Sequence, residues 1–264
     1  MICGFFIAEC PILILIGYPL PMTKRALFIE HDHVSLGGPI WRAFQARGYQ
    51  IERFLIIPEE KFHTPNVTVT FPDFSQYDII VPMGAPYGAY EDQRVGNWLL
   101  PELDLLKRAH NAGQPIFGIC FGGQMMARTL GGSVSRAPEA ELGWYEIQTD
   151  DPSLICAGPW FEYHWDRWIT PPLATEIART KLAVQAFTLG RTLAVQFHPE
   201  IDPEVLEEWL AMEGGCAEVQ AEGVDPDELR AQTKALLSIT DQNAFDLVNA
   251  FLDRIATAEV ITVN

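Results

Sequence analysis

The feature that most narrows what this chain can become is a cysteine set between two glycines where an apolar run ends. Pro115–Ile119 reads as a buried strand and Gly122–Leu130 as a helix. Between them stands Gly118-Ile119-Cys120-Phe121-Gly122, the Gly-x-nucleophile-x-Gly pattern of a nucleophile elbow. A turn this sharp crowds the positions two residues either side of its apex, and glycine relieves the collision. The apical residue takes a strained backbone and raises its side chain above the sheet. Its place at a helix N-terminus favours a thiolate, because free N–H groups and the helix dipole stabilise negative charge. Cysteine is also among the most buried residue types, so a structural cysteine in a glycine-rich turn is the rival reading of the pentapeptide alone.

Around the elbow, strands and helices alternate. Strands are predicted over Ala26–Glu30, Tyr49–Ile57 and Asp78–Pro82, and a helix over Gly37–Arg47 that stops at Gly48. Pro58–Gln76 is a proline-bearing loop, Met83–Gln93 a glycine-rich connection, and Trp98–Ala112 carries apolar residues at helical spacing. Ser133–Ile155 reads as antiparallel strands, and Leu182–Leu189 with Thr192–Phe197 as a hairpin about Gly190-Arg191. Helices are predicted over Pro203–Met212, Pro226–Ser238 and Asn243–Thr257. The order defines an α/β fold: a mainly parallel, doubly wound sheet with an antiparallel extension and a helical C-terminal appendage. Residues 22–212 form the main domain in this reading, and 213–264 the appendage. Ligand sites in such sheets lie beyond the carboxyl ends of the strands.

A second motif, Gln196-Phe197-His198-Pro199-Glu200, closes the last strand. A cysteine nucleophile needs a base near its sulfur, and the base needs a partner that fixes its tautomer. In extended chain, residues two apart face the same side, so His198 and Glu200 can lie together, with Pro199 stiffening the step. Alone, this could be a surface turn. At the end of a strand in the same sheet as Cys120, it reads as the base and orienting acid of a catalytic triad.

Together, Gly118-Ile119-Cys120-Phe121-Gly122-Gly123-Gln124 and Gln196-Phe197-His198-Pro199-Glu200 resemble the class I (triad) glutamine amidotransferases, with their flavodoxin-like sheet. The likeness is to stand-alone domains similar to the amidotransferase half of GMP synthase and spans Lys24 to Trp209. The resemblance implies hydrolysis of the glutamine side-chain amide by Cys120, His198 and Glu200. It implies an oxyanion hole at the backbone N–H groups of Ala85 and Phe121, within Pro82-Met83-Gly84-Ala85-Pro86 and the elbow; Ala85 stands where the family usually has glycine. It also implies a substrate pocket at Gly84, Gln124, His164, Trp165 and Asp166. The middle residue of the family's His-x-Asp segment is normally small, so Trp165 is a departure. Core packing is an equal reading for it.

Charge and cysteine count narrow the setting. Eighteen basic against thirty-five acidic residues give a formal charge of −17, which repels phosphate backbones and argues against nucleic acid as a partner. Five cysteines without regular spacing fit reduced thiols and a cytoplasmic protein better than a disulfide framework or a zinc site. His31-Asp32-His33 is read as a polar loop, and neither a metal nor a cofactor is expected. Residues 1–21 are almost wholly apolar, with Glu9 and three prolines and no basic residue. They read as a non-native or start-site leader, with Met22 as the expected start, rather than as a signal peptide or membrane span.

Three functions compete. One is a glutaminase that delivers ammonia to an acceptor on a separate synthetase, since no synthetase domain is expected after Glu200. Another is a γ-glutamyl peptidase or hydrolase using the same triad on a small γ-glutamyl compound, which the altered pocket residues Ala85 and Trp165 favour. The third is a non-catalytic binding or regulatory protein, against which an intact triad speaks. No membrane partner is expected, and an oligomer is compatible with all three.

Overall fold

The computed structural model describes residues 23–259, so the leader reading for residues 1–21 lies outside the described residues. The amino-terminal half runs β1 (Lys24–Glu30), α1 (Gly38–Ala46), β2 (Tyr49–Leu55), β3 (Ile79–Pro82), α2 (Asp92–Asn111), β4 (Ile116–Ile119) and α3 (Phe121–Thr129). Then come β5 (Ser133–Tyr145), β6 (Gln148–Thr149), β7 (Trp160–Ile169), β8 (Thr175–Arg179), β9 (Val184–Leu189) and β10 (Thr192–Val195). Helices α4 (Pro203–Ala211), α5 (Gly215–Ala221) and α6 (Pro226–Ala250) complete it, with a π-helical turn at Phe251–Ile255.

Eight strands form one sheet in the order β2-β1-β3-β4-β10-β9-β8-β6. The first five are parallel, and β9, β8 and β6 add an antiparallel edge. This is the doubly wound sheet with an antiparallel extension that the element order predicts. β5 and β7 pair separately as a long antiparallel ribbon.

Alternate residues of each strand serve opposite faces, as the pleat requires. Ala26, Phe28, Val81, Phe117 and Val195 pack with α1 and α6; Leu27, Ile29, Ile80, Ile116 and Ala194 pack with α2 and α3. The inner parallel strands β1, β3, β4 and β10 are largely buried on both sides, which is why they read as apolar runs, whereas the edge strand β2 is partly exposed.

The C-terminal helices are present, and α6 enters the main core. Its Ala244, Leu247 and Val248 are buried against the sheet, and Phe251 just beyond stacks on Phe117 at 5.1 Å between ring centroids. A smaller cluster of Phe161, Val205, Leu206, Leu210, Val219 and Leu229 fastens α4, α5 and α6 to the ribbon. The two helices expected over Pro226–Ser238 and Asn243–Thr257 are one. The hydroxyl of Thr240, at the supposed break, turns back onto the carbonyls of Leu236 and Leu237 and leaves the helix uninterrupted. α2 begins six residues before the expected Trp98, its first turn held by Arg128, which donates to Asp92 at 2.6 and 2.8 Å.

Candidate active site

The strand-to-helix turn is an elbow in fact. Cys120 has φ 49° and ψ −107°, the one positive φ at a non-glycine residue among the described residues. A Cβ at Gly118 would lie 2.8 Å from the backbone of Gly122, and one at Gly122 would lie 2.0 Å from the carbonyl oxygen of Pro82. The first glycine therefore admits the turn, and the second admits β3. Such backbone strain persists where its surroundings hold it: Cys120 N–H donates to Val195 O at 2.8 Å, and Gly122 N–H to Met83 O at 3.0 Å. β10, β4 and β3 thus clamp the turn from both sides.

His198 follows β10 and lies across the sheet from Gly84, which follows β3. A Cβ on Gly84 would come within 3.2 Å of His198 Cε1 and 4.0 Å of Cys120 Cβ, so the two side chains converge over this glycine. His198 Nδ1–H donates to Glu200 Oε1 at 2.7 Å, leaving Nε2 buried with no hydrogen-bond partner among the described residues. Trp209 lies edge-on to the ring, with centroids 4.8 Å apart. The imidazole is held well above the usual histidine range. Burial works to lower it, but the adjacent negative charge of Cys120 and Glu200 outweighs that penalty.

Cys120, His198, Gly84, Ala85, Gln124, His164, Trp165 and Asp166 all border one cavity of about 670 Å³. Glu200 and Phe121 are buried behind it. Among the described residues no acceptor takes the N–H of Ala85 or of Phe121. The side-chain amide of Gln124 donates to Gln196 Oε1 at 3.3 Å, and Gln196 Nε2 in turn reaches the sulfur of Cys120 at 3.6 Å. Gln196 is a site residue that sequence reasoning leaves out, although it stands two positions before His198, as Glu200 stands two after.

The His164-Trp165-Asp166 segment lies on β7, a strand not anticipated in the sequence. His164 Nδ1–H donates to the carbonyl of Asp166 at 2.9 Å. Its Nε2 lies 3.2 Å from Glu162 Oε2 and 3.4 Å from Glu141 Oε2, ion-pair distances off the hydrogen-bond axis. Burial tends to lower this histidine, but the two carboxyls overcome it and push it up to about 10. Glu162 itself is pushed up by burial, more than His164 brings it down. The three groups face one another inside the fold, with no water-exposed carboxyl among them. Asp166 accepts from the Tyr90 hydroxyl at 3.1 Å, and Trp165 at the rim donates its indole N–H to Glu222 at 2.7 Å. Glu141 and Glu162 also escape sequence reasoning, because buried carboxylates on a ribbon read there as solvent-facing charge.

His31 departs from expectation too. It follows β1 in the expected loop, but its side chain is completely buried between Trp98 and Phe121, and Asp32 is buried as well.

A strained cysteine, an acid-anchored histidine and two free backbone donors at the carboxyl edge of a doubly wound sheet define a cysteine hydrolase of the α/β class. Comparison with known proteins carries this further. The family described as "Glutamine amidotransferase class-I" matches residues 61–213, more than half of the chain. The chain belongs to the class I glutamine amidotransferase family, whose members are cysteine-dependent amidohydrolases. It is 38% identical over 116 residues to the glutamine-hydrolyzing GMP synthase of Aeropyrum pernix, a stretch covering 39% of this chain and 22% of that protein. It is 29% identical over 163 residues to a glutamine-hydrolyzing GMP synthase subunit from Sulfurisphaera tokodaii, covering 56% of this chain and 82% of that one. The chain thus spans about a fifth of the first relative and most of the second. In fold it is similar to a glutamine amidotransferase from Thermotoga maritima, with TM-score 0.74 and 24% identity over 89% of this chain and 99% of that one. Among the described residues no helix is long and apolar enough to cross a membrane.

Proposed function

We propose that the chain hydrolyses the side-chain amide of glutamine through a thioester on Cys120 and passes the ammonia to an acceptor on a separate synthetase. The observation that carries this reading is the orientation of His198: Nδ1 anchored on Glu200 at 2.7 Å, and Nε2 buried and unpartnered where it converges with Cys120. The thiolate of Cys120 attacks the amide carbon, and the carbonyl π electrons move to oxygen. The N–H groups of Ala85 and Phe121 receive that oxyanion, each such donor contributing about 3 kcal/mol in well-studied cases. His198 gives its proton to the amide nitrogen as the C–N bond breaks, releasing ammonia and leaving a γ-glutamyl thioester. The neutral imidazole then takes a proton from water, whose oxygen attacks the thioester. Glutamate leaves and the thiolate–imidazolium pair is restored. Glu200 holds the ring's tautomer throughout. Gln196 donates to the sulfur and supports its charge. The synthetase partner is supported by the overlap with a relative that is itself named as one subunit of GMP synthase.

The size of the cavity favours a second reading. About 670 Å³ is within the range that holds drug-sized ligands, so a larger γ-glutamyl conjugate has room in it. Ammonia release from glutamine, measured beside cleavage of γ-glutamyl peptides and each with a Cys120→Ala control, decides between the readings. Turnover of glutamine alone supports the first, and turnover of the peptides alone supports the second. Turnover of neither would refute both.

A further inference from the structure

Apart from the triad and the ribbon cluster, the described core holds a further histidine–carboxylate pair, His31 with Glu102, both completely buried and 71 residues apart in sequence. His31 Nε2 sits 3.2 Å from each Glu102 oxygen. The other ring nitrogen, Nδ1, sits 3.2 Å from the carbonyl oxygen of Gly84. A carbonyl can only accept, so Nδ1 carries the proton and donates. Ser35 Oγ is 3.3 Å from the same oxygen and 2.8 Å from Asp32 Oδ1, so its single hydrogen is divided between them and the imidazole is the firmer grip.

The held oxygen belongs to a particular peptide. Gly84 C=O and Ala85 N–H share one planar unit, and in a trans peptide they point in opposite directions. Holding the oxygen toward β1 aims the Ala85 N–H away from His31. Gly84 has no Cβ to restrain its backbone, and its Cα already lies against His198 and Cys120. The same imidazole meets the ring of Phe121 edge-on at 4.9 Å, so one side chain touches Phe121 and the peptide unit that carries the Ala85 N–H.

We infer that His31 and Glu102 are positioning residues: the pair holds the Gly84–Ala85 peptide with its N–H toward the oxyanion. This rests on the reading of Ala85 as an oxyanion donor. An apolar pair of like volume would fill the core as well or better, since buried ion pairs rarely add stability over hydrophobic replacements. What an apolar pair lacks is a donor to grip a carbonyl. Glu102, in the middle of α2, ties that grip to a rigid element.

Positioning separates from bulk structure because alkylation of a thiolate by iodoacetamide needs no oxyanion hole, whereas acyl transfer does. The test measures steady-state turnover, on whichever of glutamine or γ-glutamyl-p-nitroanilide the wild type hydrolyses, beside the alkylation rate of Cys120. His31→Leu is expected to lower kcat about 10- to 100-fold, in line with the cost of misplacing a catalytic group. KM should stay within about threefold and alkylation should keep the wild-type rate, because nothing that binds substrate or ionises the thiol is removed. His31→Asn, whose amide nitrogen falls near the place of Nδ1, should recover most of kcat. Glu102→Gln keeps the shape of the anchor and should show a smaller fall of the same kind. It also serves if His31→Leu does not fold. Unchanged kcat in both His31→Leu and Glu102→Gln would overturn the inference. So would a parallel loss of alkylation and turnover, or an Asn variant no better than Leu. A wild-type enzyme whose thiol alkylates but which turns over neither substrate would instead sink the underlying hydrolase reading, and this inference with it.

Discussion

The two walls of the cavity use buried polar groups in opposite ways. At the strand ends, Cys120, His198 and Ala85 border the cavity, and the His198 Nε2 and the N–H groups of Ala85 and Phe121 have no hydrogen-bond partner among the described residues. On the β5–β7 ribbon, His164, Glu141 and Glu162 face one another at 3.2 and 3.4 Å, within ion-pair reach though off the hydrogen-bond axis. A buried charge is costly unless it is matched. The ribbon matches its own. At the strand ends Glu200 answers His198 at 2.7 Å, while backbone bonds from Cys120 to Val195 and from Gly122 to Met83 hold the strained turn. Reactivity and cohesion are thus separated between neighbouring elements, and substitutions on the two sides should fail differently.

The largest effects belong to the strand ends. Cys120→Ala should reduce turnover to the uncatalysed background while leaving the thermal midpoint near that of the wild type, because it removes one atom from a strained turn. His198→Ala should be nearly as severe. Glu200→Gln should cost less, since it alters orientation without removing a reacting group. Steady-state assays beside calorimetry check all three, and a Glu200→Gln variant as dead as Cys120→Ala would contradict the division of roles. Gln196→Met comes next. Losing a hydrogen bond to a charged group costs about 1.5–3 kcal/mol, so the alkylation rate of Cys120 should fall by about 10- to 100-fold.

The ribbon should answer in stability. His164 is raised to about 10 in the folded protein against an ordinary 6.5, so between those values the folded state binds the extra proton. Its contribution is complete below about pH 6.5 and is lost progressively as pH rises to about 10, at up to about 1.4 kcal/mol per pH unit. Denaturant midpoints across this window should decline more steeply in the wild type than in His164→Gln. Equal slopes would show that the cluster holds no imidazolium. The smallest effect is expected at the rim, where Trp165→Phe removes the bond to Glu222 and should raise KM only a few-fold with kcat preserved.

The strand ends are largely legible in the sequence, and the ribbon is not, for physical reasons. Elbow chemistry demands glycines two residues either side of a nucleophile, and a histidine in extended chain shares a face with the residue two positions on. Both requirements are local. On β7 the period-2 pattern exists, but it alternates Phe161, Tyr163 and Trp165 with Glu162, His164 and Asp166. The polar set faces inward as much as the apolar one, so alternation does not announce a strand with a solvent side. The burial of His31 is not legible because its partner Glu102 lies on another element, 71 residues away, and no local spacing reports such a pair. The short α5 begins beside a left-handed Gly214 in a glycine pair that reads as a hinge. The long α6 reads as two helices because a run of polar residues near its middle, Thr240 to Asn243, looks like a break, although Thr240 is buried.

Intact-mass detection after rapid mixing with glutamine tests the central claim most directly. The account predicts a transient γ-glutamyl adduct that maps to Cys120, is lost in Cys120→Ala, and is nearly lost in His198→Ala, which can no longer protonate the departing ammonia. Glutamine turnover with no adduct on that thiol, or an adduct undiminished in Cys120→Ala, would contradict it.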